Sequence, residues 1–221
     1  NFLVDGQGGT IKGSSSQEVI DDTNCTPVIA VPKSGYKFVE WSDGSTDSTL
    51  IVKNVKVDLN MIAYFKLDAF IITGNIDSGH EGGTIDPHGA IEVIKGTDQL
   101  FTVKSNEGYR ISNVTVDKEE KDIIDNNLYE YSFNNVDANH QISASFLKEY
   151  TIKFIADVNG SIEGITEQIV GKGDTCSSVK AVPDQGYRFI KWSNGSTDNP
   201  LIITDVIKDI EITASFDWWN I

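Results

Sequence analysis

The chain has 221 residues, with 33 Asp or Glu against 18 Lys or Arg and a net charge of −15. That charge repels nucleic-acid phosphates and anionic lipid, which makes nucleic acid and acidic membrane surfaces poor partners. No apolar stretch reaches the ~20 residues that cross a bilayer, and the length suits one large domain or several small ones.

From the N-terminus, the first element is an apolar segment ahead of Gly8-Gly9-Thr10-Ile11, a hairpin-type turn in which glycine is expected to accept a positive φ. An apolar strand, Val28-Ile29-Ala30-Val31-Pro32, comes next, and then Gly35-Tyr36-Lys37-Phe38-Val39-Glu40-Trp41-Ser42. Met61, Ala63 and Phe65 then alternate with other residues, the pattern of a half-buried antiparallel strand. A weaker copy follows, with Gly82-Gly83-Thr84-Ile85, Phe101-Thr102-Val103 and Gly108-Tyr109-Arg110-Ile111. It carries a charged insertion, Asp117–Asn127, read as a hairpin loop with a short helical turn as the alternative. Its last strand is expected to point Ile142, Ala144 and Phe146 inward and Ser143 and Ser145 outward.

A third copy opens with Tyr150, Ile152 and Phe154 on one face and Thr151 and Lys153 on the other. Asn159-Gly160-Ser161-Ile162, Val179–Pro183 and Gly186-Tyr187-Arg188-Phe189-Ile190-Lys191-Trp192-Ser193 follow, and Ile212, Ala214 and Phe216 close it. The first and third copies stand at an offset of 151 residues, ungapped from Gly9 and Gly160 to Phe65 and Phe216, with 15 identities in the 31 positions from 35 to 65. Repetition of one small unit signals an array of modules before it signals an active site. The units are placed at 1–67, 68–148 and 149–217, with 218–221 as a junction to a further region. Lys66–Ala69 and Leu147–Glu149 are taken as the connections, too tight and too poor in Gly, Ser and Pro for flexible linkers. Asn1 matches Ile152 at the same offset, so the first repeat is expected to begin inside its first strand and the chain to be a fragment of a longer protein. Modules of ~75 residues have modest cores, so neighbour contacts are expected to help and to make a stiff, elongated array.

Together these motifs resemble the divergent internalin-type B-repeats of the Listeria–Bacteroides repeat group of bacterial surface proteins. The resemblance covers nearly the whole chain as three copies. The middle one departs from the pattern, with Val114 where the others carry Trp41 and Trp192. It implies a mainly β fold, with three tandem small antiparallel modules, β-grasp-like or small sandwiches, and an extracellular place on the cell surface or cell wall. The family has no common catalytic residues, so none is carried over.

The candidate binding residues are Tyr36, Trp41, Asp43, Asp47, Tyr187, Trp192, Asn194 and Asp198. Exposed tryptophans stack on sugar rings, and the loops after them offer hydroxyls and carboxylates. Recurrence beside Phe38 and Phe189 favours instead a core-anchor role for both tryptophans, and a hydrogen-bonded turn is the simpler account of each loop. No full Asp-x-Asp-x-Asp-Gly calcium pattern is present. Cys25 and Cys176 occupy one position in two repeats and read as small, partly buried thiols. His80, Glu81, Asp86 and His88 cluster near one turn without a helical zinc motif. No cofactor and no catalytic residue is assigned. The expected function is a stalk or spacer in a surface or secreted protein, with a role in adhesion. The alternative is an accessory module for a cell-wall or host polysaccharide or a surface protein. A monomer is expected.

Overall fold

The computed structural model describes residues 1–78 and 82–219. Their alternating patterns give strands, and no α-helix forms among the described residues. The first repeat contains β1 (Phe2–Val4), β2 (Gly9–Lys12), β3 (Val28–Pro32), β4 (Tyr36–Trp41), β5 (Thr49–Leu50) and β6 (Met61–Leu67). The second runs through β7 (Ala69–Ser78), β8 (Gly83–Asp86), β9 (Gly89–Ile94), β10 (Gln99–Ser105), β11 (Tyr109–Val116), β12 (Glu119–Glu120), β13 (Leu128–Phe133) and β14 (His140–Ala156). The third shares β14 and adds β15 (Gly160–Glu163), β16 (Glu167–Gly171), β17 (Lys180–Pro183), β18 (Tyr187–Trp192) and β19 (Ile210–Trp218).

The chain divides into two compact units. One holds Asn1–Thr73, Gly89–Leu100 and Tyr131–His140. The other holds Gly74–His88, Phe101–Glu130 and Gln141–Ile221. In the first unit, repeat 1 is a small sandwich of two three-stranded sheets, ordered β1-β6-β4 and β2-β3-β5. Phe2, Trp41, Met61 and Ala63 from one sheet meet Val28, Ala30 and Leu50 from the other. All pairings here are antiparallel except β1 with β6, where Phe2 stands beside Met61 in a parallel ladder. Some 55 residues separate the two strands, ample for the crossover that a parallel pair needs.

In the second unit, an extended sheet runs in the order β12-β11-β14-β19-β18, with β16 on the other side of β14. The 17 residues of β14 are one uninterrupted strand. Leu147–Glu149, taken from sequence as a connection between repeats, are part of it. The first half of β14 pairs antiparallel with β11 and the second half pairs parallel with β19. β16 pairs with Glu149–Lys153 between these two stretches, so ladder bonds continue through the boundary without a turn. At the earlier boundary Asp68 alone separates β6 from β7. The insertion of repeat 2 opens with a hairpin, in which β12 pairs with Thr115 and Val116 around Asp117 and Lys118, both at positive φ.

Ser143 departs from the simple alternation. It is only 5% exposed. Its hydroxyl donates to Asp77 Oδ2 (2.9 Å) and shares a hydrogen bond with the Thr115 hydroxyl (2.8 Å), which satisfies it on a covered face.

The glycine turns also hold for a different reason than expected. Gly9, Gly83 and Gly160 do not have positive φ. A Cβ on any of them would collide with the ring of Phe65, Phe146 or Phe216 respectively. The glycine is a seat for the last core phenylalanine of its repeat. Gly35, Gly108 and Gly186 do require positive φ, at 79°, 75° and 88°.

The structural match at the N-terminus differs by one residue from the sequence offset. Phe2 N–H donates to Ser15 O as Phe154 N–H does to Thr166 O. The turn before Gly9 is one residue longer than that before Gly160, so Asn1 corresponds to Lys153 and not to Ile152.

Candidate functional site

The eight candidate residues sit on β4 and β18 and on the loops that follow them. In both strands a β-bulge interrupts the ladder, between Phe38 and Glu40 and between Phe189 and Lys191. Strict alternation would put positions 38 and 41 on opposite faces. The extra residue brings both inward, so Phe38 meets Trp41 at 5.8 Å between ring centres and Phe189 meets Trp192 at 5.5 Å.

Trp41 and Trp192 are 0% exposed. Phe2 and Phe154 pack edge-on against them, each at 6.1 Å. Each indole Nε1–H donates to a loop carbonyl, that of Asp47 at 3.0 Å and that of Asp198 at 2.8 Å. A ring with both faces covered offers nothing to a sugar. The reading of these two tryptophans as stacking platforms is therefore corrected: they are core anchors, and the indole N–H ties the following loop to the core.

The loops are built by short-range polar bonds. Asp43 accepts from Ser45 N–H (2.9 Å) and Asp47 from Thr49 N–H (2.8 Å). In repeat 3, Asn194 accepts from Ser196 N–H (3.0 Å), and the Ser196 hydroxyl donates to Asp198 (3.2 Å). Such bonds satisfy the turn's own backbone. The structure does not bring the acidic side chains to one point, and among the described residues no group of three His, Cys, Asp or Glu is placed to hold a metal. His80 and Glu81 lie outside the described residues, and His88 is exposed.

Tyr36 and Tyr187 stand apart from the tryptophans. Tyr36 lies over Gly8, and Tyr187 stacks on Trp218 with ring centres 4.5 Å apart. The buried, free thiols of Cys25 and Cys176 accept the N–H groups of Val52 (3.0 Å) and Ile203 (3.1 Å). Sulfur as a ladder acceptor left no trace in the sequence beyond the matched positions.

The repeat boundaries form a polar constellation that sequence reasoning missed. Three residues beyond the last core phenylalanine, an N–H returns to the glycine of the Gly-Tyr pair: Asp68 to Gly35 O, Glu149 to Gly108 O and Trp219 to Gly186 O. At the first boundary, Lys37 donates to Asp68 Oδ1 at 2.8 Å, and Lys95 lies 3.9 Å from the other oxygen. The hydrogen bond from Lys37 holds the Asp68 carboxyl below the usual carboxylate range, with the charges of Lys37 and Lys95 acting in the same direction. In the second unit Arg110 takes the place of Lys37, 2.9 Å from Asp174 and 3.8 Å from Glu149. The cue was a cation two residues after each such glycine, Lys37, Arg110 and Arg188.

Geometry of this kind, with sandwiches that seat a phenylalanine on a glycine and hand one strand to the next repeat, defines a tandem array of small β modules. The divergent InlB B-repeat domain matches residues 3–69, 77–149 and 150–218, and the chain belongs to that family. Its domains are a non-catalytic type, typical of bacterial surface proteins. No match is found among curated proteins.

Proposed function

We propose that this chain is a non-catalytic stalk or spacer segment of a bacterial cell-surface or secreted protein, extracellular and monomeric, that holds other domains at a set distance. The observation that supports this reading is β14, which leaves repeat 2 and enters repeat 3 without a break. A strand hydrogen-bonded through the boundary has no free torsion there, and Arg110, bridging Glu149 and Asp174, braces the same place. A spacer needs that resistance to bending and needs no pocket.

Small-angle scattering of the purified chain tests it. Three modules in line give a radius of gyration on the order of 26 Å, against roughly 17 Å for a single globule of this length. Insertion of a Gly-Ser pair between Lys148 and Glu149 is expected to broaden the distance distribution of the array. A value near that of the globule, unmoved by the insertion, would sink the spacer reading.

A further inference from the structure

Repeat 3 holds two copies of one reactive sequence, Asn159-Gly160-Ser161 and Asn194-Gly195-Ser196. Asparagine is a thermolabile residue. A following glycine hinders its side chain least, because glycine carries no Cβ. The two copies share one intrinsic reactivity, and the structure separates them.

Asn194 and Gly195 are both exposed. A Cβ placed on Gly195 would meet no heavy atom within 4 Å. Asn194 Oδ1 accepts the Ser196 N–H at 3.0 Å, which polarises the side-chain carbonyl and can hold negative charge that develops on that oxygen. One bond opposes reaction: Gly195 N–H donates to Trp192 O at 2.9 Å. That bond closes an exposed turn, the kind of contact that opens at low cost.

Asn159 and Gly160 are half-buried. Gly160 lies in β15 opposite Pro183 and is the seat of Phe216. The Asn159 carbonyl accepts the Asp184 N–H at 2.9 Å. Bringing the Gly160 nitrogen onto the Asn159 side chain turns the peptide between them. That movement takes the glycine out of its ladder and from under the Phe216 ring.

Repeat 1 displays the product of reaction at Asn194. Residues 42–47 read Ser-Asp-Gly-Ser-Thr-Asp, and residues 193–198 read Ser-Asn-Gly-Ser-Thr-Asp. Asp43 Oδ1 accepts the Ser45 N–H at 2.9 Å, and Gly44 N–H donates to Trp41 O at 2.8 Å. Trp41 N–H donates to Ser45 O as Trp192 N–H does to Ser196 O, both at 2.8 Å. The same turn therefore forms around a carboxylate.

We propose that Asn194 is a self-modification site, where the loop of repeat 3 deamidates to the acidic loop that repeat 1 carries from the start. The Gly195 nitrogen loses its proton to hydroxide and bonds to Asn194 Cγ. The bond from Cγ to the side-chain nitrogen breaks, and that nitrogen takes a proton from water and leaves as ammonia. Water then opens the cyclic imide. Attack at Cγ gives aspartate, and attack at the backbone carbonyl gives isoaspartate, which lengthens the main chain inside the turn. Either product adds one negative charge. No oxidant, metal or partner is needed, and the step is independent of the spacer role.

Peptide mapping by mass tests this on the purified chain held in warm, mildly alkaline buffer. The peptide with Asn194 should gain about one dalton, and do so about ten-fold faster than the peptide with Asn159. In denaturant the two should react at similar rates. Asn194→Gln should slow the appearance of the more acidic form on ion exchange, since glutamine must close a larger ring. Asn194→Asp should keep the parent's melting temperature, because Asp43 fits the same turn. Equal rates at the two sites in the folded chain, or reaction at Asn159 first, would overturn the proposal. So would an Asn194 peptide that keeps its mass while the denatured chain reacts.

Discussion

Trp41 and Trp192 act twice, once through the ring and once through the indole N–H. The ring fills the core between the two sheets, and the N–H holds the carbonyl of Asp47 or Asp198. Trp192→Ala leaves a cavity and a freed loop, with an expected loss of about 3–5 kcal/mol. Trp192→Phe keeps most of the ring, and the loop should loosen more than the core. Denaturant titration of both variants separates the two contributions; no loss in Trp192→Phe would show that the N–H bond contributes nothing. Trp218 and Trp219 are exposed, so acrylamide should quench the two of them and spare the buried pair. Asp68 carries a pH signature. Its carboxyl is held below the ordinary value, so its ion pair with Lys37 supports the fold at and above the ordinary carboxylate pKa of about 3.9 and loses that support as pH falls through the depressed value. An NMR titration of Asp68 should show the low pKa rise in Lys37→Ala; no change would mean that Lys37 is not its cause. The seats at Gly9, Gly83 and Gly160 make a further expectation. Gly160→Ala should displace the Phe216 ring and destabilise repeat 3, as a thermal melt would show, although φ there is ordinary for alanine.

Strands were legible where one face is dry and the other wet. Ile142, Ala144 and Phe146 could be read off because alternation is a direct image of that asymmetry. Ser143 could not, because Asp77 and Thr115 cover its face and no periodicity reports a polar group satisfied by distant partners. The bulge at Phe38–Glu40 was equally silent, since it adds a residue without changing composition. Pairing across ~55 residues is a property of the closed sheet, so the parallel run of β1 with β6 lay beyond any local pattern. At the end of repeat 3, Trp218 lies on Tyr187 and over Gly186. Trp218→Ala should cost about 1 kcal/mol from the lost stack, a drop of a few degrees in the melting temperature. No drop would leave the pair without a capping role.

The repeat itself was the clearest statement in the sequence, and it fixed the class of molecule at once. What the offset could not give is how one module meets the next, because β14 erases the boundary that the motifs imply. Of the candidate binding residues, recurrence at one structural position was a sound guide to core anchors, and the loops proved to be turns closed on themselves. The parallel pairing has a mechanical consequence. In repeat 3 the chain enters along β14 and leaves along β19, two neighbours that run the same way. In repeat 1, β1 and β6 do so too. A pull on the two ends therefore drags adjacent strands past each other, and the ladder bonds between them must yield together instead of peeling one after another. Such a pair is loaded in shear, whereas a hairpin pulled at its two ends would open one bond at a time.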